Sequence, residues 1–156
     1  MVFQLSAGGF LPAGIHRSDA DSIFEMFVLP FPDSQTRRRL FRLWEAYNQQ
    51  LKDKLGGVVL TQWLNGSFVT GKLNPVDIDL VTFVPSLLYQ RSEEDLIEFY
   101  TTISLYDTGL DTYICPVFLP DESGYAEFQQ RRDDWQNLFG QLRSREGKKG
   151  FLELSF

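Results

Sequence analysis

Apolar stretches of two different periods alternate along this chain, and that alternation confines it to a narrow set of folds. From Asp19 to Val28, Ile23, Phe24 and Phe27 fall on one side, as in a short helix. Leu40, Leu43, Tyr47 and Leu51 then recur at intervals of three and four and predict a helix running to about Leu55. Asp33 or Ser34 can cap its start, Lys52 and Lys54 suit its last turn, and Gly56-Gly57 ends it. Val58–Leu64 and Ile78–Val84 read as buried strands, the second stopped by Pro85. Ser92 with Asp95 three residues on is a capping-box pattern that opens a helix through about Ser104, and Asp111–Phe118 follows as a third strand. Tyr125, Phe128, Trp135, Leu138, Phe139 and Leu142 mark a long amphipathic helix, broken by Gly147 and Gly150. Phe151–Phe156 closes as a strand with Leu152, Leu154 and Phe156 on one face. Residues 1–18, punctuated by Gly8, Gly9, Pro12 and Gly14, read as irregular. Helices interspersed among strands imply one α/β domain over residues 1–156, a small mixed sheet flanked by helices.

Composition removes several classes of protein. With 156 residues, 43% of them hydrophobic, the chain can bury a real core and is neither disordered nor fibrous. Its apolar runs, such as Gly57-Val58-Val59-Leu60, fall far short of the roughly 20 residues that cross a bilayer, so no membrane role is expected. The N-terminus has no basic region followed by an apolar core, which reads as no signal peptide and a cytoplasmic location. Cys115 is the only cysteine and reads as buried and inert, and the only histidine, His16, reads as a packed loop residue. A formal charge of −6 argues against nucleic-acid binding by the whole surface, although a local basic cleft stays open. Arg37, Arg38, Arg39 and Arg42 form one basic cluster and Arg143, Arg145, Lys148 and Lys149 another. Both read first as solvated surface, and alternatively as phosphate or nucleic-acid contacts.

The chemistry concentrates in Trp63–Phe83, WLNGSFVTGKLNPVDIDLVTF. A strand runs into Gly66-Ser67, the chain loops through Gly71, and Asp77-Ile78-Asp79 enters the next strand. Strand geometry puts Asp77 and Asp79 on one face and turns Ile78 the other way. Two carboxylates side by side repel each other unless a cation sits between them, and Mg²⁺, a hard ion that prefers oxygen ligands, suits the place. Gly66 permits a sharp turn, and Ser67 offers a hydroxyl where backbone N–H groups can face a phosphate. Lys72 follows closely and is either a further phosphate contact or an exposed loop lysine. The plain alternative makes Asp77 and Asp79 turn residues, with Asp77 capping a strand after Pro75.

This Gly-Ser followed by Asp-x-Asp resembles the polymerase-beta-like nucleotidyltransferase superfamily: Gly66, Ser67 and Gly71 match the first part of its pattern, Asp77 and Asp79 the second. The head LPAGIH, the block NGSFVTGKLNPVDIDLV and the tail KKGFLELSF are similar to a small uncharacterised bacterial family, DUF6932-like, over most of the chain. Val76 stands where the superfamily usually has serine or glycine, and the spacer is one residue shorter than in many small members.

The resemblance implies a nucleotidyltransferase-like fold and an Mg²⁺- or Mn²⁺-dependent transfer of a nucleotide from a nucleoside triphosphate, ATP first, to a protein or RNA hydroxyl. It assigns Asp77 and Asp79 to the metal, Gly66 and Ser67 to the nucleotide, with Lys72 added to them by its place after the loop, and a third catalytic and metal-binding carboxylate to Asp111, with Asp107 as competitor. Small stand-alone members resemble parts of toxin–antitoxin or phage-defence pairs, which implies a protein partner. The alternative is a catalytically silent domain of this fold that binds a nucleotide or a partner protein.

Overall fold

A computed structural model describes residues 3–100, 109–143 and 146–156. Its elements are β1 (Gly14–Arg17), α1 (Ala20–Phe27), α2 (Arg37–Lys54), β2 (Thr61–Asn65), β3 (Ile78–Pro85), α3 (Ser86–Arg91), α4 (Glu93–Leu96), β4 (Leu110–Val117), α5 (Tyr125–Phe139) and β5 (Gly150–Ser155). The five strands form one mixed sheet in the order β1-β5-β2-β3-β4. The pairs β1·β5 and β3·β4 are parallel, while β2 runs antiparallel to both β3 and β5. The α/β class expected from the alternating patterns is what forms.

Strand alternation divides the core between the two faces of this sheet. On one face Leu64, Leu80, Leu152 and Leu154 meet Ile23 and Phe27 of α1 and Leu40, Trp44, Tyr47 and Leu51 of α2, with Leu96 and Phe99 beside them. On the other, Trp63, Val81, Phe83, Cys115 and Phe151 meet Phe128, Trp135 and Phe139 of α5. The interior strand β3 is buried along nearly its whole length, because both its faces are covered. Gln62 sits inside the first layer without penalty: its amide accepts from Trp44 Nε1 at 2.7 Å and donates to Asn48 at 3.0 Å and Thr82 at 2.8 Å. No helix among the described residues is long and apolar enough to cross a membrane.

Several boundaries depart from the periodicity, each for a physical reason. The segment read as irregular contains β1, a four-residue edge strand held by pairing with β5 at the far end of the chain. His16 lies on it, its Nε2 2.6 Å from the Pro12 carbonyl and its ring packed edge-on against Phe3. Ser92 does not cap a helix: its N–H closes α3 on Leu88 and Tyr89, which leaves its φ at −114° and ψ at 11°, outside the extended geometry a cap needs. The run expected as one helix is four α-helical residues and a 3₁₀ turn over Ile97–Phe99, with its expected end beyond the described residues. The last helix stops at Phe139, and Gly140 donates to Gln136. Ser34 accepts from the amides of Thr36 and Arg37, so it does serve the start of α2.

The largest correction concerns Arg37, expected on a solvated helix face and fully buried. Its Nη1 donates to the carbonyls of Phe27 and Phe68 at 2.8 Å each, and its Nη2 to those of Thr70, at 2.6 Å, and Lys72. The guanidinium also stacks over Phe31, 3.8 Å from the ring centre. No carboxylate among the described residues pairs with it, and burial alone pushes its pKa down to about 10, so it stays charged. Carbonyl dipoles replace the water it has lost. Arg37 thereby ties α1, α2 and residues 68–72 together. Arg37→Met would leave those carbonyls unsatisfied and is expected to lower the unfolding free energy by about 3 kcal/mol, read from the urea midpoint, with Arg37→Lys recovering only part.

Candidate active site

Three strand ends meet at one edge of the sheet. In the parallel pair β3·β4, Asp79 lies opposite Asp111, and in the antiparallel pair β2·β3, Asn65 lies opposite Asp79. Neighbouring strands run about 4.8 Å apart and facing partners share a side, so Asn65, Asp79 and Asp111 form a row across three strands. That row is on the α5 side of the sheet, because the next residues of the same parity, Trp63, Val81 and Tyr113, belong to the α5 layer. Ile78 turns to the opposite face and is fully buried there. Asp107, the competitor for the third carboxylate, lies outside the described residues.

The chain leaves β2 through Gly66, whose φ of 87° disfavours any residue with a side chain. A Cβ there would stand 2.9 Å from the Asp79 amide nitrogen and 3.0 Å from the Asp77 carbonyl oxygen. Ser67–Val69 then makes a single 3₁₀ turn. The expectation that Ser67 faces a phosphate meets a different arrangement. Asp77 Oδ1 accepts from the Ser67 amide at 2.7 Å and from its hydroxyl at 2.5 Å, while that hydroxyl accepts from the Val76 amide at 2.9 Å. The Phe68 amide donates to the Asp77 carbonyl at 3.0 Å. The side chain of Asp77 thus plays the anion at this turn, with Oδ1 engaged and Oδ2 turned towards Asp79's counter-ion.

That counter-ion is Arg143, in the segment after α5. Its Nη2 is 2.5 Å from Asp79 Oδ2 and its Nη1 4.0 Å from Asp77 Oδ2. Lys149, 8% exposed, donates to Asn65 Oδ1 at 2.6 Å and completes the cationic side. Burial lowers the Lys149 pKa, and the nearby Asp79 opposes that shift. Asp79 is 3% exposed, and burial, then Asp77, pushes its carboxyl up to about 6 against the pull of Arg143. Tyr113 reaches Asp111 Oδ2 at 3.3 Å.

A cavity of about 690 Å³ opens over this edge. Gly66, Ser67, Lys72, Asp77, Arg143 and Lys149 line it, and the turn at Gly8 and Gly9 forms a wall. That wall stands because Gly71 donates to the Gly9 carbonyl at 2.8 Å, an approach so close that a Cβ on Gly9 would meet the Gly71 nitrogen at 3.3 Å. Asp79 lies behind Arg143 and, like Asp111, does not line the cavity. Lys72 is exposed at the rim, its carbonyl held by Arg37.

The donor set suits a cation held by two carboxylates, Asp77 and Asp79, since a guanidinium bridges towards both. Among the described residues, however, no group of three or more histidine, cysteine, aspartate or glutamate side chains is arranged to hold a metal ion. Asn65, Arg143 and Lys149 joined the site without being singled out by motif. The only hint was a basic cluster between the last helix and the last strand, and Arg145 of that cluster lies outside the described residues. Cys115 is buried, its thiol pushed up to about 11 by burial, as expected of an inert residue.

Fold and site together define a mixed α/β protein in which a buried aspartate, Asp79, lies beside the half-buried Asp77 and Asp111 at one end of the sheet, countered by arginine and lysine. The chain belongs to DUF6932, a family of unknown function, whose profile matches residues 3–155. No curated protein and no solved structure matches it.

Two measurements probe this geometry. Gly66→Ala is expected to destabilise the fold by about 1–3 kcal/mol, seen as a lowered urea midpoint, because a positive φ and the Asp79 backbone both oppose the methyl group. Asp79 binds its proton more tightly folded than unfolded, where an aspartate titrates near 3.8. The stability it contributes is therefore present below about pH 4 and is lost as pH rises through about 6. Asp79→Asn removes that loss, so the variant is expected to exceed the wild type by up to about 3 kcal/mol near pH 7.5 and to match it near pH 3.5.

Proposed function

We propose that this chain is a nucleotidyltransferase that moves a nucleoside monophosphate from a nucleoside triphosphate, ATP first, to a hydroxyl of a protein or an RNA. One observation carries the reading: Asp77 and Asp79 converge on a single cation position beneath a cavity bordered by the Gly66-Ser67 turn, Lys72 and Lys149. Asp77 and Asp79 would hold Mg²⁺ or Mn²⁺, which when bound supplies Lewis-acid stabilisation of the phosphate oxygens. Ser67 fixes Asp77 by occupying Oδ1 and so leaves Oδ2 for the cation. Lys72 and Lys149 stand where the triphosphate would lie along the Gly66 turn. Asp111, beside Asp79 on the neighbouring strand, would take the proton of the acceptor hydroxyl. The hydroxyl oxygen bonds to the α-phosphorus, the bond from that phosphorus to the bridging oxygen breaks, and pyrophosphate leaves.

With this activity we also propose membership of the polymerase-beta-like superfamily, a cytoplasmic location, and a role in a toxin–antitoxin or phage-defence pair with a protein partner. A second reading, a catalytically silent domain that binds a nucleotide or a partner protein, is favoured by the guanidinium that already stands between the two carboxylates.

Calorimetric titration with each ribonucleoside triphosphate, followed by release of pyrophosphate in the presence of protein and RNA acceptors, decides between them. Mg²⁺-dependent binding that disappears in Asp77→Ala/Asp79→Ala is the expected outcome. Metal-independent binding that survives in the double variant supports the silent domain, and no binding of any nucleotide removes both nucleotide readings.

A further inference from the structure

Arg143 and Asp79 form an unequal pair. The Asp79 side chain is 4% exposed and fixed by the sheet, whereas that of Arg143 is 75% exposed. The backbone beneath Arg143 is pinned on both sides: Leu142 donates to the Gly147 carbonyl at 3.1 Å and Lys149 to the Gly140 carbonyl at 2.9 Å. The exposed arginine side chain can exchange partners without breaking either backbone bond. Lys149 is its opposite, buried and bonded to Asn65, and stays where it is.

The position that the guanidinium takes up, between Asp77 Oδ2 and Asp79 Oδ2, is the one a divalent ion would need. Both cannot occupy it, since like charges at such range repel strongly in a partly dry site. A free metal ion must therefore displace a charge-assisted hydrogen bond and strand Arg143 in the cavity. A metal ion that arrives with a phosphate displaces the same bond without stranding the arginine, because the planar guanidinium can close on two phosphate oxygens in place of the carboxylate. Arg143 already lines the cavity in which that phosphate would sit.

We propose that Arg143 is a resident counter-ion that competes with the divalent metal for Asp77 and Asp79 and yields only when a phosphate-bearing ligand takes over its guanidinium. The inference rests on the nucleotidyltransferase reading and adds to it a binding order: metal and nucleotide enter together. Arg143 acts here as a positioning residue, setting when the carboxylates become available.

The test measures Mn²⁺ affinity from the electron paramagnetic resonance signal of the free ion, with and without α,β-methylene-ATP, which cannot be cleaved at the α–β bridge. Wild type, Arg143→Gln and Lys148→Gln are compared. Lys148→Gln removes the same charge from the same segment, at an exposed residue that does not line the cavity. The expected result is that Arg143→Gln binds Mn²⁺ alone about tenfold tighter than wild type, the order of one displaced charge-assisted hydrogen bond. The nucleotide analogue should tighten Mn²⁺ strongly in wild type and Lys148→Gln and much less in Arg143→Gln. If nucleotide promotes Mn²⁺ binding in wild type but Arg143→Gln binds Mn²⁺ alone no better, the role of Arg143 is overturned while the nucleotidyltransferase reading stands. An equal gain in Lys148→Gln would reduce the effect to general electrostatics and overturn it too. Absence of Mn²⁺ binding in all three proteins, with and without the analogue, would overturn both.

Discussion

A single buried guanidinium holds the site-bearing loop to the rest of the fold. Arg37 has no carboxylate partner among the described residues, so its charge is balanced by the carbonyl groups of Phe27, Phe68, Thr70 and Lys72. Those carbonyls come from the end of α1 and from the segment that follows the Gly66-Ser67 turn. Burying a charge is costly, and carbonyl dipoles offset the loss only when several point at it together. The loop must therefore keep one shape. That shape sets Ser67 against Asp77, and Asp77 in turn faces the counter-ion of Asp79.

The carboxylate row carries the reverse cost. Asp79 is buried beside Asp77 and Asp111, and burial and repulsion together make its ionised form unfavourable. Arg143 and Lys149 compensate in part, one exposed and exchangeable, the other buried and bonded to Asn65. The pair therefore combines an unfavourable buried charge with a counter-ion that water can reach. The two apolar layers on either side of the sheet supply the surplus that tolerates it.

Much of this was legible along the chain. The stripe Leu40, Leu43, Tyr47, Leu51 placed α2, and the alternation in Phe151–Phe156 placed β5, because both signals are local and periodic. The pair Asp77 and Asp79 stood out by spacing, although Asp77 precedes β3 instead of lying within it. Three features escaped. β1 has only Ile15 as an aliphatic residue and exists through pairing with β5, more than a hundred residues away. Arg37 looks like any arginine at a helix start until the loop folds over it. Ser92 carries a capping signature that the end of α3 overrides.

Sequence by itself determined the α/β class, the positions of the long elements and the short stretch in which serine, glycine and paired aspartates are concentrated. These follow from side-chain period and turn chemistry, which act between near neighbours. Tertiary structure alone decided that Asp111 stands beside Asp79, that Asn65 and Lys149 form a buried hydrogen bond, and that Arg143 rather than a surface contact answers the two aspartates. Such pairings depend on strand order and on how the segment after α5 returns across the sheet, and a charge reveals its partner only when distant parts of the chain meet in a place that water has left.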